Sequence, residues 1–121
     1  MISGQIFEQR QIFTAKVDFS DGSGAKERPV VIISNNNHNK SNQDLICCPI
    51  TSQLSGRGRV IYPKDYEVNT ATLEIPDSEI KTQYPIILHK SRLYPLKTGR
   101  VKINKQLAQK IVDDINDAIK S

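Results

Sequence analysis

Apolar positions occur in short alternating or unbroken runs over most of the chain, and take helical spacing only near its end. Gln11 to Phe19 is rich in β-formers with partial alternation, and Asp21-Gly22-Ser23-Gly24 carries turn chemistry, so a strand followed by a loop is predicted. Pro29 to Ile33 is a continuous β-branched run, the pattern of a strand covered on both faces. After a polar linker from Ser34 to Gln43 comes a second buried run, Leu45 to Ile50. Pro49 has no N–H for a ladder and predicts a bulge or a sheet edge there. Ser52 to Arg59 reads as an exposed loop around Gly56-Arg57-Gly58-Arg59. Shorter strands are expected at Val60 to Tyr62, Thr70 to Ile75 and Pro85 to His89. From about Lys105, residues Leu107, Ala108, Ile111, Val112, Ile115, Ala118 and Ile119 recur at spacings of three and four, with Asn104 placed to cap the helix. Such a stripe can meet a partner, but more often packs on its own sheet. Many short strands and one terminal helix predict a mainly β fold, a compact barrel or curled sheet.

Chain length adds that residues 1–121 should form one domain, since a single core is usual at roughly 100 to 150 residues. A hydrophobic content of 37% is on the polar side for so short a chain, which suits a helper subunit. No run approaches the ~18 apolar residues of a spanning helix, and no leader pattern opens the chain, so no membrane association and a cytoplasmic location are expected. Cys47 and Cys48 are adjacent in an apolar run, which makes neither a disulfide framework nor metal-ligand spacing; buried thiols are expected. His38 and His89 lie far apart, so a metal enzyme is not expected.

The net charge of +4 is modest, and its distribution matters more. Between Glu79 and Asp113 there is no acid, whereas Lys81, Lys90, Arg92, Lys97, Arg100, Lys102, Lys105 and Lys110 all fall there. This block is either a phosphate-binding surface or simply a solvated basic face.

Cleaving RNA without a metal requires the 2′-hydroxyl to attack its own phosphate while charge on the phosphate oxygens is stabilised. A guanidinium suits that task because it stays charged and offers forked donors. Arg28 sits between a glycine-bearing loop and the strand opened by Pro29, anchored yet able to project; an ion pair with Glu27 or Asp18 is the alternative. Thr51, Ser52 and Gln53 occupy the matching place after the second buried strand, where they could bind phosphate or a base edge, or simply form turn hydrogen bonds.

The segments Asp18-Phe19, Asp21 through Lys26-Glu27-Arg28-Pro29-Val30-Val31-Ile32-Ile33-Ser34, and Pro49-Ile50-Thr51-Ser52-Gln53 resemble the signature of the PemK/MazF family of toxin endoribonucleases. Pro85 to Leu96, Lys97-Thr98-Gly99-Arg100-Val101 and the final helix are similar, more loosely, to the family's C-terminal regions, so the resemblance runs from about Gln11 onward. It implies a small SH3-like β-barrel that forms a homodimer and cleaves single-stranded RNA, not DNA, with no cofactor and no metal. It also implies an antitoxin partner whose acidic or disordered tail fills the RNA groove. Arg28 and Thr51 match the family's catalytic pair, Arg28 stabilising the phosphorane and Thr51 holding the scissile phosphate. Lys26, Ser52, Gln53, Arg57, Arg59, Lys90 and Arg92 are the accompanying RNA-binding candidates. Two positions depart from the pattern. Arg10-Gln11 stands where the family usually has Gly-Asp or Gly-Glu, leaving residues 1–10 as a possible extension. His89 stands where some members carry an acid; it is either an acid–base group or a packed imidazole. A non-catalytic interaction module, such as a topoisomerase binder of the CcdB type, or an RNA-binding barrel without cleavage, remain the other readings of the same fold.

Overall fold

The structure, a computed structural model, describes residues 5–18, 24–68, 78–97 and 99–120. Among these the strands are β1 (Ile12–Asp18), β2 (Ala25–Ile32), β3 (Asp44–Thr51), β4 (Arg59–Ile61), β5 (Tyr66–Val68), β6 (Ser78–Ile80), β7 (Ile86–His89), β8 (Leu93–Pro95) and β9 (Val101–Ile103). The helices are α1 (Asn36–Ser41) and α2 (Lys105–Ile119). The main sheet runs β4-β6-β3-β2-β1-β8, with β7 also on β3, while β5 and β9 form a separate pair. A bridge between Gln11 and Lys102 ties the two together. The sheet curls without closing, which gives the mainly β, barrel-like fold with a C-terminal helix that the sequence pattern predicted.

Alternation along the central strands divides the core into two clusters. Val30 and Ile32 of β2, with Leu45 and Cys47 of β3, pack on one face; Val31, Cys48 and Ile50 pack on the other. Both faces of the β-branched run are therefore buried, as its unbroken pattern requires. Leu107 and Ile111 of α2 cover the second face, backed by Ala108, Val112 and Ile115, whereas Ile119 is exposed. The stripe thus packs on its own sheet except at its last turn. Asn104 caps the helix by accepting from the Leu107 amide at 2.8 Å. The two cysteines point into opposite clusters, and burial pushes each thiol up to about 12.

Three features differ from the sequence expectation, and a fourth adds to it. The Ser34 to Gln43 stretch is not a plain linker, because it holds α1, capped by the Asn35 side chain on the His38 amide and anchored by buried Asn39, whose amide donates to the Ser34 carbonyl at 2.9 Å. Polar contacts hold this helix, so no apolar stripe announced it. The second buried run is not an edge strand: β3 has β2 on one side and β7 then β6 on the other. Pro49 lies where the neighbour changes from β7 to β6, a break in the ladder where a missing N–H costs little. Strand β2 opens at Ala25 rather than at Pro29, since pairing with β1 already runs from Asp18 opposite Ala25. Of the residues that the sequence left as a possible extension, Phe7 and Glu8 pack against the rest of the chain. Phe7 packs on Phe13 with ring centroids 5.1 Å apart, and Glu8 pairs with Arg100 and Lys102. The predicted strand from Thr70 to Ile75 lies outside the described residues.

Candidate active site

Strand register creates the site. β2 and β3 are antiparallel with Ile32 opposite Cys47, Val31 opposite Cys48 and Val30 opposite Pro49. Two residues further along each strand, past the end of that ladder, stand Arg28 and Thr51, on the face that Val30 and Pro49 occupy, because side chains alternate with period two. Both residues line one cleft of about 630 Å³ at this end of the sheet. Arg28 is half-buried, its backbone opposite Ala15 of β1. Thr51 is buried, and its Oγ1 accepts from the Gln53 amide at 3.1 Å. That is the turn bond the sequence allowed, and it leaves the hydroxyl hydrogen available to donate to an oxygen in the cleft.

The rest of the lining comes from the β3–β4 loop and from the segment after β6. Gln53, Ser55, Arg57 and Gly58 form one wall; Lys81, Thr82, Gln83 and Tyr84 form the other. The Lys81 ammonium lies 5.8 Å from the centre of the half-exposed Tyr84 ring. Three cationic side chains, Arg28, Arg57 and Lys81, therefore share the lining with a single carboxylate, Glu79. The residue is 2% exposed and its carboxylate is turned toward the loop, accepting from the Ser55 amide at 3.1 Å, the Ser55 hydroxyl at 2.7 Å and the Gly56 amide at 2.8 Å. Burial acts to raise its pKa, but the Ser55 hydroxyl and the amides of Gly56, Ser55 and Gly58 outweigh it and hold the group below the usual carboxylate range. With its charge satisfied internally, the cleft presents cations and donors, which suits a polyanionic backbone.

Not all the sequence candidates meet here. Arg28, Thr51, Gln53 and Arg57 come together. Ser52 is exposed beside Thr51 but does not line the cleft, and neither does exposed Lys26 on β2. Arg59 is turned away: it makes a forked ion pair with Asp114 of α2, at 2.7 and 2.8 Å. The Arg59 hydrogen bond lowers the Asp114 pKa and Thr82 adds to that effect, so the pair fastens α2 to the cleft wall. His89 is exposed at the end of β7, where its Nδ1 accepts from the Ser91 amide at 3.1 Å, which places the ring proton on Nε2 in the neutral form. It is neither packed in the core nor in the cleft. Arg92 lines a separate depression with Lys16, Glu27, Ser91 and Tyr94, and the Lys90 ammonium lies 5.6 Å from the centre of the Phe7 ring. The basic block is thus not one surface: Lys81 joins the cleft, while Arg100 and Lys102 are engaged by Glu8. Sequence reasoning missed Glu79, Tyr84 and Asp114. Glu79 stands in the polar stretch Asp77-Ser78-Glu79-Ile80-Lys81, where no local signal marks it as buried.

The curled β-sheet with a cationic cleft at the end of two antiparallel core strands defines a small barrel-like β protein with a donor-rich cleft. Residues 8–121 match the family model of the PemK-like, MazF-like toxins of type II toxin–antitoxin systems, and the chain belongs to that family. Among solved structures, it is similar to an endoribonuclease from a mycobacterial species, at 15% identity and a TM-score of 0.67, over 98% of this chain and 95% of that one. The MazF of Deinococcus radiodurans is similar at 13% identity and a TM-score of 0.67, over 97% and 99% of the two chains. A mycobacterial endoribonuclease in complex with its cognate antitoxin is similar at 18% identity and a TM-score of 0.64, over 98% and 95%. At these identities the likeness is one of fold. No curated protein matches by sequence.

Proposed function

We propose that the chain is a sequence-selective, metal-independent endoribonuclease that cuts single-stranded RNA, the toxin of a toxin–antitoxin pair, acting in the cytoplasm. One observation carries this reading: Arg28 and Thr51, matched to the family's catalytic pair, line the same cationic cleft. In the reaction the 2′-hydroxyl loses its proton and attacks phosphorus, the bond to the 5′ oxygen breaks, and that oxygen leaves with a proton. The ends are a 2′,3′-cyclic phosphate and a 5′-hydroxyl. Arg28 stabilises the charge that grows on the non-bridging oxygens, and Thr51 donates its hydroxyl to one of them. These donors do the work a metal would otherwise do. Gln53, Arg57 and Lys81 hold the flanking backbone, and the exposed face of Tyr84 offers a surface on which a base can stack. His89 lies outside the cleft of its own chain.

A homodimer is supported by Ile46 and Ile87, cross-strand partners that are 38% and 70% exposed. The same cationic cleft fits the acidic tail of an antitoxin, and the similar mycobacterial enzyme was solved with its cognate antitoxin. Incubating a long RNA with the purified protein in EDTA, followed by primer extension, tests the reading. Discrete 5′ ends at a recurring sequence are expected; intact RNA at high protein concentration would falsify cleavage and favour a non-catalytic module.

A further inference from the structure

The geometry points to Glu79 as a positioning residue that sets the place of Arg57 against the Arg28 and Thr51 pair, an inference that rests on the cleft being the RNA site. Glu79 lies on β6 opposite Thr51 in register, so its backbone is fixed to the catalytic strand. The residue is 2% exposed and its carboxylate reaches under the β3–β4 loop, where the Ser55 amide and hydroxyl and the Gly56 amide donate to it. Arg57 sits one link further along: its amide donates to the Ser55 hydroxyl oxygen at 3.2 Å.

The loop's glycines fit this wrapping and little else. Gly56 has φ +79°, which side-chain-bearing residues rarely adopt, and a Cβ on Gly58 would lie 2.0 Å from the Ile80 carbonyl oxygen and 3.0 Å from the Glu79 Cγ. A buried carboxylate that collects several donors of one short loop fixes that loop's shape, and a backbone held in place spares the entropy of ordering Arg57 when RNA binds. Glu79 does not need to touch RNA to act in this way.

The test uses full-length protein and an RNA spanning a mapped cleavage site. Glu79→Gln keeps size but replaces one acceptor oxygen with a donor. It should accelerate amide hydrogen exchange at residues 55–58 and raise KM about tenfold, the scale of one lost hydrogen-bonded contact, with a smaller change in kcat. Glu67→Gln removes the same charge from an exposed pair with Arg10 and should leave KM unchanged, which separates positioning from net charge. Combined with Arg57→Ala, Glu79→Gln should add little further loss, because the two act on one contact. Unchanged loop exchange, an unchanged KM, or additive losses in the double variant overturn the proposal. Should Glu79→Gln not fold, Ser55→Ala cuts the same relay from its exposed end, and an unchanged KM there is equally decisive. If wild type cleaves, Arg28→Ala does not, and Glu79→Gln matches wild type, only the positioning role falls. If wild type leaves RNA intact, the nuclease reading falls and the positioning role with it.

Discussion

Arg28 on β2 and Thr51 on β3 each lie two residues beyond the last registered pair of the two strands, Val30 and Pro49, and both line one cleft. The alignment of the two strands brings the guanidinium and the hydroxyl into one cleft. A one-residue slip of either strand would leave the two side chains on opposite faces.

Arg28→Ala should reduce kcat by ~100-fold or more, since a preorganised donor aimed at developing charge is lost. Arg28→Lys should recover little, because a point charge cannot reproduce the fork. Thr51→Ser should keep most of the rate and Thr51→Ala should not. Single-turnover cleavage of an end-labelled RNA measures all four; a fully active Arg28→Ala would remove the site assignment.

Arg57 and Arg59 are separated by one residue but should behave differently. Arg57→Ala should weaken RNA binding and flatten its dependence on salt, as expected for one lost phosphate contact. Arg59 is committed to Asp114, so Arg59→Ala should lower Tm by a few degrees and leave the salt slope nearly unchanged. Filter binding at several salt concentrations, alongside thermal melts, distinguishes them; equal salt slopes for the two variants contradict the assignment.

Acid should destabilise the fold through three carboxylates. The Lys102 hydrogen bond is the main influence lowering the Glu8 pKa, and the Arg59 bond does the same for Asp114. Glu79 is held low against its burial by Ser55 and the loop amides. Groups whose folded pKa is depressed contribute fully above the ordinary carboxylate value of about 4, and lose that contribution as pH falls through the folded value. Tm should therefore be flat from about pH 7 to pH 5 and drop below. Asp114→Asn should lower Tm at neutral pH and make the acid drop shallower; an acid drop as steep as that of wild type refutes the linkage.

Arg10 has φ +78°, an expensive conformation for a residue with a side chain, at the position where family members usually carry glycine. Its amide donates to the Ile32 carbonyl at 2.8 Å, and its guanidinium reaches the Ile103 carbonyl at 2.9 Å and Glu67 at 3.0 Å. Arg10→Gly relieves the backbone while Arg10→Ala keeps the strain and loses the same contacts. The glycine variant should melt higher than the alanine variant, the reverse of the order in ordinary strands.

Much of the architecture could be read from local pattern. The unbroken β-branched run became a strand buried on both faces, the three-and-four spacing became α2, and Asn104 became its cap, because side-chain periodicity and capping chemistry act within a few residues. Of the five three-residue strands only β4 was expected, at Val60 to Tyr62; β5, β6, β8 and β9 carry too little local pattern and exist through pairing with distant chain. Helix α1 was hidden for a related reason, being held by polar contacts of Asn35 and Asn39.

What the sequence by itself determined is the set of strong local formers and, through the Arg-Pro and Ile-Thr-Ser motifs, the residue types expected to do chemistry. Which of those residues meet was decided by register and curl. Tertiary structure gathered Arg28, Thr51, Gln53 and Arg57, sent Arg59 to Asp114, left His89 capping a turn, and put Glu79 beneath the loop. The physical reason is that a side chain's type and periodicity are local properties, whereas its neighbours depend on how strands far apart in the chain align.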